Sequence, residues 1–185
     1  MRPKVQFHIL SWLTLLVFPL IGLSLLWFFE DVEIISVLEL DRFFSPLTLI
    51  GLEFGFIYGF LVLGISQFPI FEEMSGPQMR MLKNLKLNWA DILFMSFCAG
   101  FGEEILFRAG LQTWLGPWLT TFLFIAIHGY FNPKSWKKSM LGVLLFPFIL
   151  ILSYAYEVFG LWFCVAAHFS YDLLMFMGVL GKNDN

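Results

Sequence analysis

Charge is scarce in this chain. Only 14% of its 185 residues are Asp, Glu, Lys or Arg, against 59% hydrophobic, and the mean hydropathy is +0.79. That shortage excludes a soluble domain, which needs a polar surface, and a disordered segment, which needs polar composition throughout. No basic stretch is long enough to follow a nucleic-acid backbone, so that partner is excluded too. Cysteine is nearly absent. Cys98 and Cys164 both fall in apolar runs, which argues against a disulfide framework and reads both as small buried hydrophobes. Neither sits in a thiolate-activating setting. A His-Glu-x-x-His helix and internal repeats are also missing.

What the chain does have is length of apolar run. Six segments, about 7–29, 43–66, 90–113, 117–131, 139–158 and 161–181, are suited to crossing a bilayer as helices. The expected fold is all-α, a polytopic transmembrane helical bundle of about six spans, with residues 1–185 forming a single integral membrane domain. Met1-Arg2-Pro3-Lys4 resembles the start of a signal peptide, but a ~20-residue run without a small-residue cleavage site favours a retained first span. Gly116-Pro117 predicts a tight turn between the third and fourth spans. The connector at about 67–89 mixes basic and apolar residues and suits the membrane surface. Asp31 to Arg42 reads as a short amphipathic hairpin on the opposite side.

Loop charge sets an expected orientation. With the N-terminus cytoplasmic and six spans, Arg2, Lys4, Arg80, Lys83, Lys86, Lys134, Lys137, Lys138 and Lys182 share the cytoplasmic side, nine of the eleven Lys and Arg residues. Arg42 lies outside and Arg108 within the membrane. A wrong span count would scramble this partition. Both termini are therefore expected in the cytoplasm, with the chain multi-pass in a prokaryotic inner (plasma) membrane.

The rare charges are concentrated. Glu103-Glu104-Ile105-Leu106-Phe107-Arg108 puts three ionisable groups into hydrocarbon-depth helix, at roughly 2.5–3.5 kcal/mol each on insertion scales. Glu104 and Arg108 are four apart and can pair on one face, while Glu103 points about 100° away. That pair alone would serve equally as a structural lock between helices. Two other helices add Phe124-x-x-x-His128 and His168-x-x-x-Asp172, each of which alone could be a helix-to-helix hydrogen bond. Packed together, the three helices would bring Glu103, His128, His168 and Asp172 to one cavity open towards the cytoplasm. A carboxylate alone in hydrocarbon takes up a proton, whereas a nearby arginine, imidazoles and water keep it ionised. Such a glutamate can take a proton from water, and histidines opposite can polarise a carbonyl. Gly100, Gly102 and Gly110 would admit a partner helix or substrate closely, and Phe107 and Phe124 would give the cavity apolar walls. His8 reads as an interfacial residue. Glu53, among Gly51, Gly55 and Gly59, would pair with Arg108 or line the cavity and stays outside the catalytic set.

Glu-Glu-x-x-x-Arg, Phe-x-x-x-His and His-x-x-x-Asn/Asp on successive helices resemble the CAAX protease and bacteriocin-processing (CPBP/Abi) family of intramembrane glutamate-type endopeptidases, related to the Ras-converting CAAX endoprotease. The likeness covers about 90–181, the expected catalytic core. It implies that Glu103 is the general base, that His128 holds the same water, and that His168 and Asp172 form the oxyanion site. Glu104 and Arg108 would support Glu103. Asp172 stands where asparagine is common, and an ionised aspartate cannot donate to an oxyanion, so it either acts protonated or orients His168. The implied activity is endopeptidase cleavage of a membrane-embedded or lipidated peptide, with the lipid bilayer as setting and no cofactor. Competing readings are a zinc-dependent intramembrane protease built on the same residues, an ion pathway, and a non-catalytic scaffold or bacteriocin immunity protein.

Overall fold

The computed structural model describes residues 3–30, 32–65, 82, 84–131 and 136–180. Helix is the expected answer to an apolar solvent, because it satisfies every backbone donor within its own segment. The elements are α1 (Pro3–Glu30), α2 (Ile34–Leu38) with a 3-10 turn at Leu40–Arg42, α3 (Pro46–Ile65), α4 (Trp89–Glu104), a π-helix (Ile105–Leu111), α5 (Gln112–Ile127), α6 (Trp136–Phe159) and α7 (Leu161–Leu180). Among the described residues there is no strand.

Each of the six expected spans meets a helix, with ends differing by a few residues. Four helices, α1, α3, α6 and α7, are long and apolar enough to cross a membrane by length and composition. The segment from α4 to α5 differs for two reasons. Asp91, Glu103, Glu104 and Arg108 dilute its apolar content, and Gly116 breaks α5 with φ 67° and ψ 171°. That positive φ is cheap for glycine, and Pro117 follows it as the start of a new helical stretch, so the expected turn is present as a kink.

Helix α7 is the centre of the bundle: 61% of its apolar window is buried, against 17% for α1 and for α3. Gly51, Gly55 and Gly59 form the buried face of α3, and this stripe lies against α7. A Cβ at Gly55 would run into the Ala167 carbonyl, so only glycine permits this approach, the small-residue packing typical of membrane helices. Glu53 lies on the opposite, exposed side of α3. It neither pairs with Arg108 nor faces the site, because its neighbours Gly51 and Gly55 turn the other face inward. Helix α1 packs on α4 and on the π-helix, where a Cβ at Gly102 would strike the Thr14 carbonyl. The glycines around the acidic motif therefore accommodate α1 and α7, not substrate.

Outward faces are apolar. Leu16, Leu20, Ile57, Phe60, Val143 and Val158 are all exposed, an apolar belt too large for a water-soluble surface and suited to lipid. Cys98 and Cys164 are buried free thiols, as expected.

The connectors are tied down. Glu39 accepts from the Leu161 amide at 3.0 Å, and the Trp162 indole donates to the Leu38 carbonyl at 2.7 Å. The acidic segment is thus docked on the start of α7. Residues 67–81 and 83 of the expected surface connector lie outside the described residues. Its end, Leu85 and Leu87, is buried with Ile92 and Met95. Asn88 and Asp91 form a reciprocal capping box on α4. Asp91 also takes Lys4 and the His8 Nε2, the latter at 2.9 Å. His8 is therefore half of a clamp between α1 and α4, a role its position at the end of an apolar run does not reveal.

Candidate active site

The acidic pair lies where α4 passes into the π-helix. π-Helical turns are rare and concentrate at functional sites; here the winding spans Ile105–Leu111 instead of the regular α-helix that an i,i+4 reading assumes. Both glutamates are buried, as is Arg108. Arg108 Nε donates to Glu104 Oε2 at 2.9 Å, so the expected ion pair forms. Glu103 turns away from it, towards two imidazoles.

The two histidines are fixed in the same manner. Nδ1 of His128 lies 2.7 Å from the Phe124 carbonyl, which can only accept, so Nδ1 carries hydrogen and donates. Nδ1 of His168 lies 2.8 Å from Glu104 Oε1 and donates to that carboxylate. With Nδ1 committed, each ring presents Nε2 to Glu103. The separations are 3.5 Å from His128 and 4.0 Å from His168 to one oxygen, Glu103 Oε2. That oxygen accepts no hydrogen bond among the described residues. Asp172 Oδ2 lies 3.6 Å from His168 Nε2, one turn further along α7. All four expected site residues are thus brought to one place.

Access is graded. The His128 side chain is 31% exposed and that of Asp172 23%, against 11% for Glu103 and 6% for His168. The opening lies on the side of His128 and Asp172, with Glu103 at the bottom. Phe107 and Phe124 do not line it. Both are buried and meet edge to face at 4.9 Å. Phe124 stacks under the His128 ring at 4.4 Å and carries the Arg108 guanidinium at 5.8 Å. They are a bed for the polar groups, because aromatic faces accept both an imidazole and a cation.

Sequence reading misses what lies behind Arg108. Its Nη1 donates to Ser153 Oγ on α6 at 2.7 Å, and Thr121 Oγ1 of α5 lies 3.1 Å from the same oxygen. Gln112 donates to the Ser153 carbonyl at 2.7 Å and reaches Glu157 at 3.3 Å. A serine or threonine inside an apolar run is ordinary and commonly bonds its own helix, so neither carries a signal in sequence. Among the described residues, no group of three or more His, Cys, Asp or Glu side chains is arranged to hold a metal ion.

Residues 85–174 match the family model described as type II CAAX prenyl endopeptidase Rce1-like. The uncharacterized protein YpbD of Bacillus subtilis (strain 168) is 34% identical over 82 residues, which cover 44% of this chain and 41% of that protein. The chain thus spans less than half the length of this curated relative. No solved structure matches it. The matched segment holds the acidic pair, His128, His168 and Asp172 in one stretch, and over it the chain is similar to the Rce1-like type II CAAX prenyl endopeptidases.

Proposed function

We propose that the chain is an intramembrane endopeptidase that hydrolyses a peptide bond of a membrane-associated or lipidated substrate with water activated by Glu103 and His128. The observation that carries this reading is the shared orientation of the two imidazoles: each spends Nδ1 on a fixed acceptor and turns Nε2 to one glutamate oxygen. Water held between Glu103 and His128 loses its proton to Glu103 as its oxygen attacks the scissile carbonyl. A doubly protonated His168, flanked by Glu104 and Asp172, donates Nδ1–H to Glu104 and Nε2–H to the developing oxyanion. Glu103 then returns its proton to the leaving amine. Asp172, 3.6 Å from His168 Nε2, orients that ring and need not donate itself.

The test uses purified chain in lipid nanodiscs and an internally quenched, prenylated peptide ending in a CAAX sequence, assayed with and without 1,10-phenanthroline. Cleavage that persists under chelation is expected. Histidine and carboxylate are donor types that zinc takes, so cleavage lost on chelation and restored by zinc would favour the metal-dependent alternative. Absence of cleavage would sink the peptidase reading for this substrate class.

The site is proposed to open to the cytoplasm, with both termini on that side of the plasma membrane, on the distribution of nine of eleven basic residues. Ile35→Cys before α3 and Phe131→Cys after α5 are both exposed positions. In intact cells a membrane-impermeant maleimide should label the first and spare the second. Cys98 and Cys164 are buried and give little background. Reversed labelling would overturn the orientation.

A further inference from the structure

We infer that Ser153, on α6, is a positioning residue for the site, acting through Arg108 on both imidazoles. Arg108 is fully buried and donates to two acceptors in its hydrogen bonds, Glu104 Oε2 at one end and Ser153 Oγ at the other. Its Nη2 has no partner among the described residues. Ser153 gives its own hydrogen to the Ile149 carbonyl at 3.1 Å, which leaves its oxygen as an acceptor for Arg108 and for Thr121. Without that acceptor the guanidinium is held at one end only.

Both histidines depend on where the guanidinium rests. On one branch, Glu104 accepts from Arg108 with one oxygen and from His168 Nδ1 with the other. On the other, Arg108 lies over the Phe124 ring, whose opposite duty is to stack on His128 and whose carbonyl receives His128 Nδ1. A shift of Arg108 therefore moves the His168 acceptor and the His128 bed together. Buried charged donors left without an acceptor seek another one, and a site set by hydrogen bonds between rigid helices transmits that shift.

The role in turnover rests on the peptidase reading above; the role in holding His168 does not, and the test separates them. The chain has three histidines, so a histidine-labelled sample yields few 15N ring signals, assigned by replacing His8 and His128 in turn. Ser153→Ala is expected to shift the His168 Nδ1 signal as its hydrogen bond to Glu104 loosens, with unchanged helical circular dichroism. With the quenched prenylated peptide, kcat is expected to fall roughly tenfold and KM to stay within about twofold, as for lost alignment rather than lost binding. Ser153→Thr keeps the hydroxyl and should restore both readouts. Should Ser153→Ala not fold, Ser153→Cys keeps the volume with a poor acceptor and should show the same change. A His168 signal identical to wild type in a folded Ala or Cys variant would overturn the inference. No cleavage by any form, with the signal altered as expected, would count against the peptidase reading alone.

Discussion

Glu103→Gln is expected to lower kcat by about 10³-fold or more while leaving the protein folded and inserted. General-base catalysis by a positioned side chain is worth about 10²–10⁴, and 10³ corresponds to ~4 kcal/mol of barrier. Glutamine keeps the shape and polarity of the side chain, so the loss isolates proton transfer. Stability should hold, because Glu103 Oε2 accepts no hydrogen bond among the described residues. Removing a charge from a site next to the fully buried Glu104 does not weaken that site. The measurement is turnover of the quenched prenylated peptide beside circular dichroism of the same sample. A variant retaining a tenth or more of wild-type turnover would show that Glu103 is not the base. In cells, peptides that accumulate in the Glu103→Gln strain relative to wild type would identify the substrate, and an unchanged cellular function would favour a scaffold.

Arg108→Met carries the largest expected loss of stability. Breaking a buried pair by removing one partner typically costs 3–5 kcal/mol, because the surviving charge stays buried. Here the survivor is Glu104, fully buried and left with His168 Nδ1 as its donor. Ser153 would also lose the cation whose hydrogen its oxygen accepts. Replacing both partners, as in Glu104→Gln with Arg108→Met, leaves no orphan charge and should be milder than Arg108→Met alone. Thermal unfolding in one detergent, across the two singles and the double, reads the coupling directly. A single Arg108→Met variant as stable as wild type would mean that the pair does not hold the bundle.

Much of this molecule is legible in one dimension because the bilayer is a severe solvent. Long apolar runs can only be helices there, so six segments and their approximate ends follow from composition. Likewise the few charges left at hydrocarbon depth mark the site, since each is costly enough to need a reason. Glu103, His128, His168 and Asp172 are therefore readable without coordinates, as is the Glu104–Arg108 pair.

What the tertiary structure alone decides is direction. Whether Glu53 looks at the site or at lipid depends on which face of α3 the glycine stripe delivers to α7. Whether the glycines near Glu103 admit substrate or α1 depends on packing between distant segments. The π-helical winding at Ile105–Leu111 breaks the regular period on which spacing arguments rest. Ser153 becomes meaningful only when α6 carries it to a guanidinium 45 residues away, and Thr121 only when α5 carries it to Ser153, 32 residues away. Hydropathy and motif spacing report depth and local face; the hydrogen bonds between helices are set by rotation about each axis, and that is fixed by contacts between parts of the chain far apart in sequence.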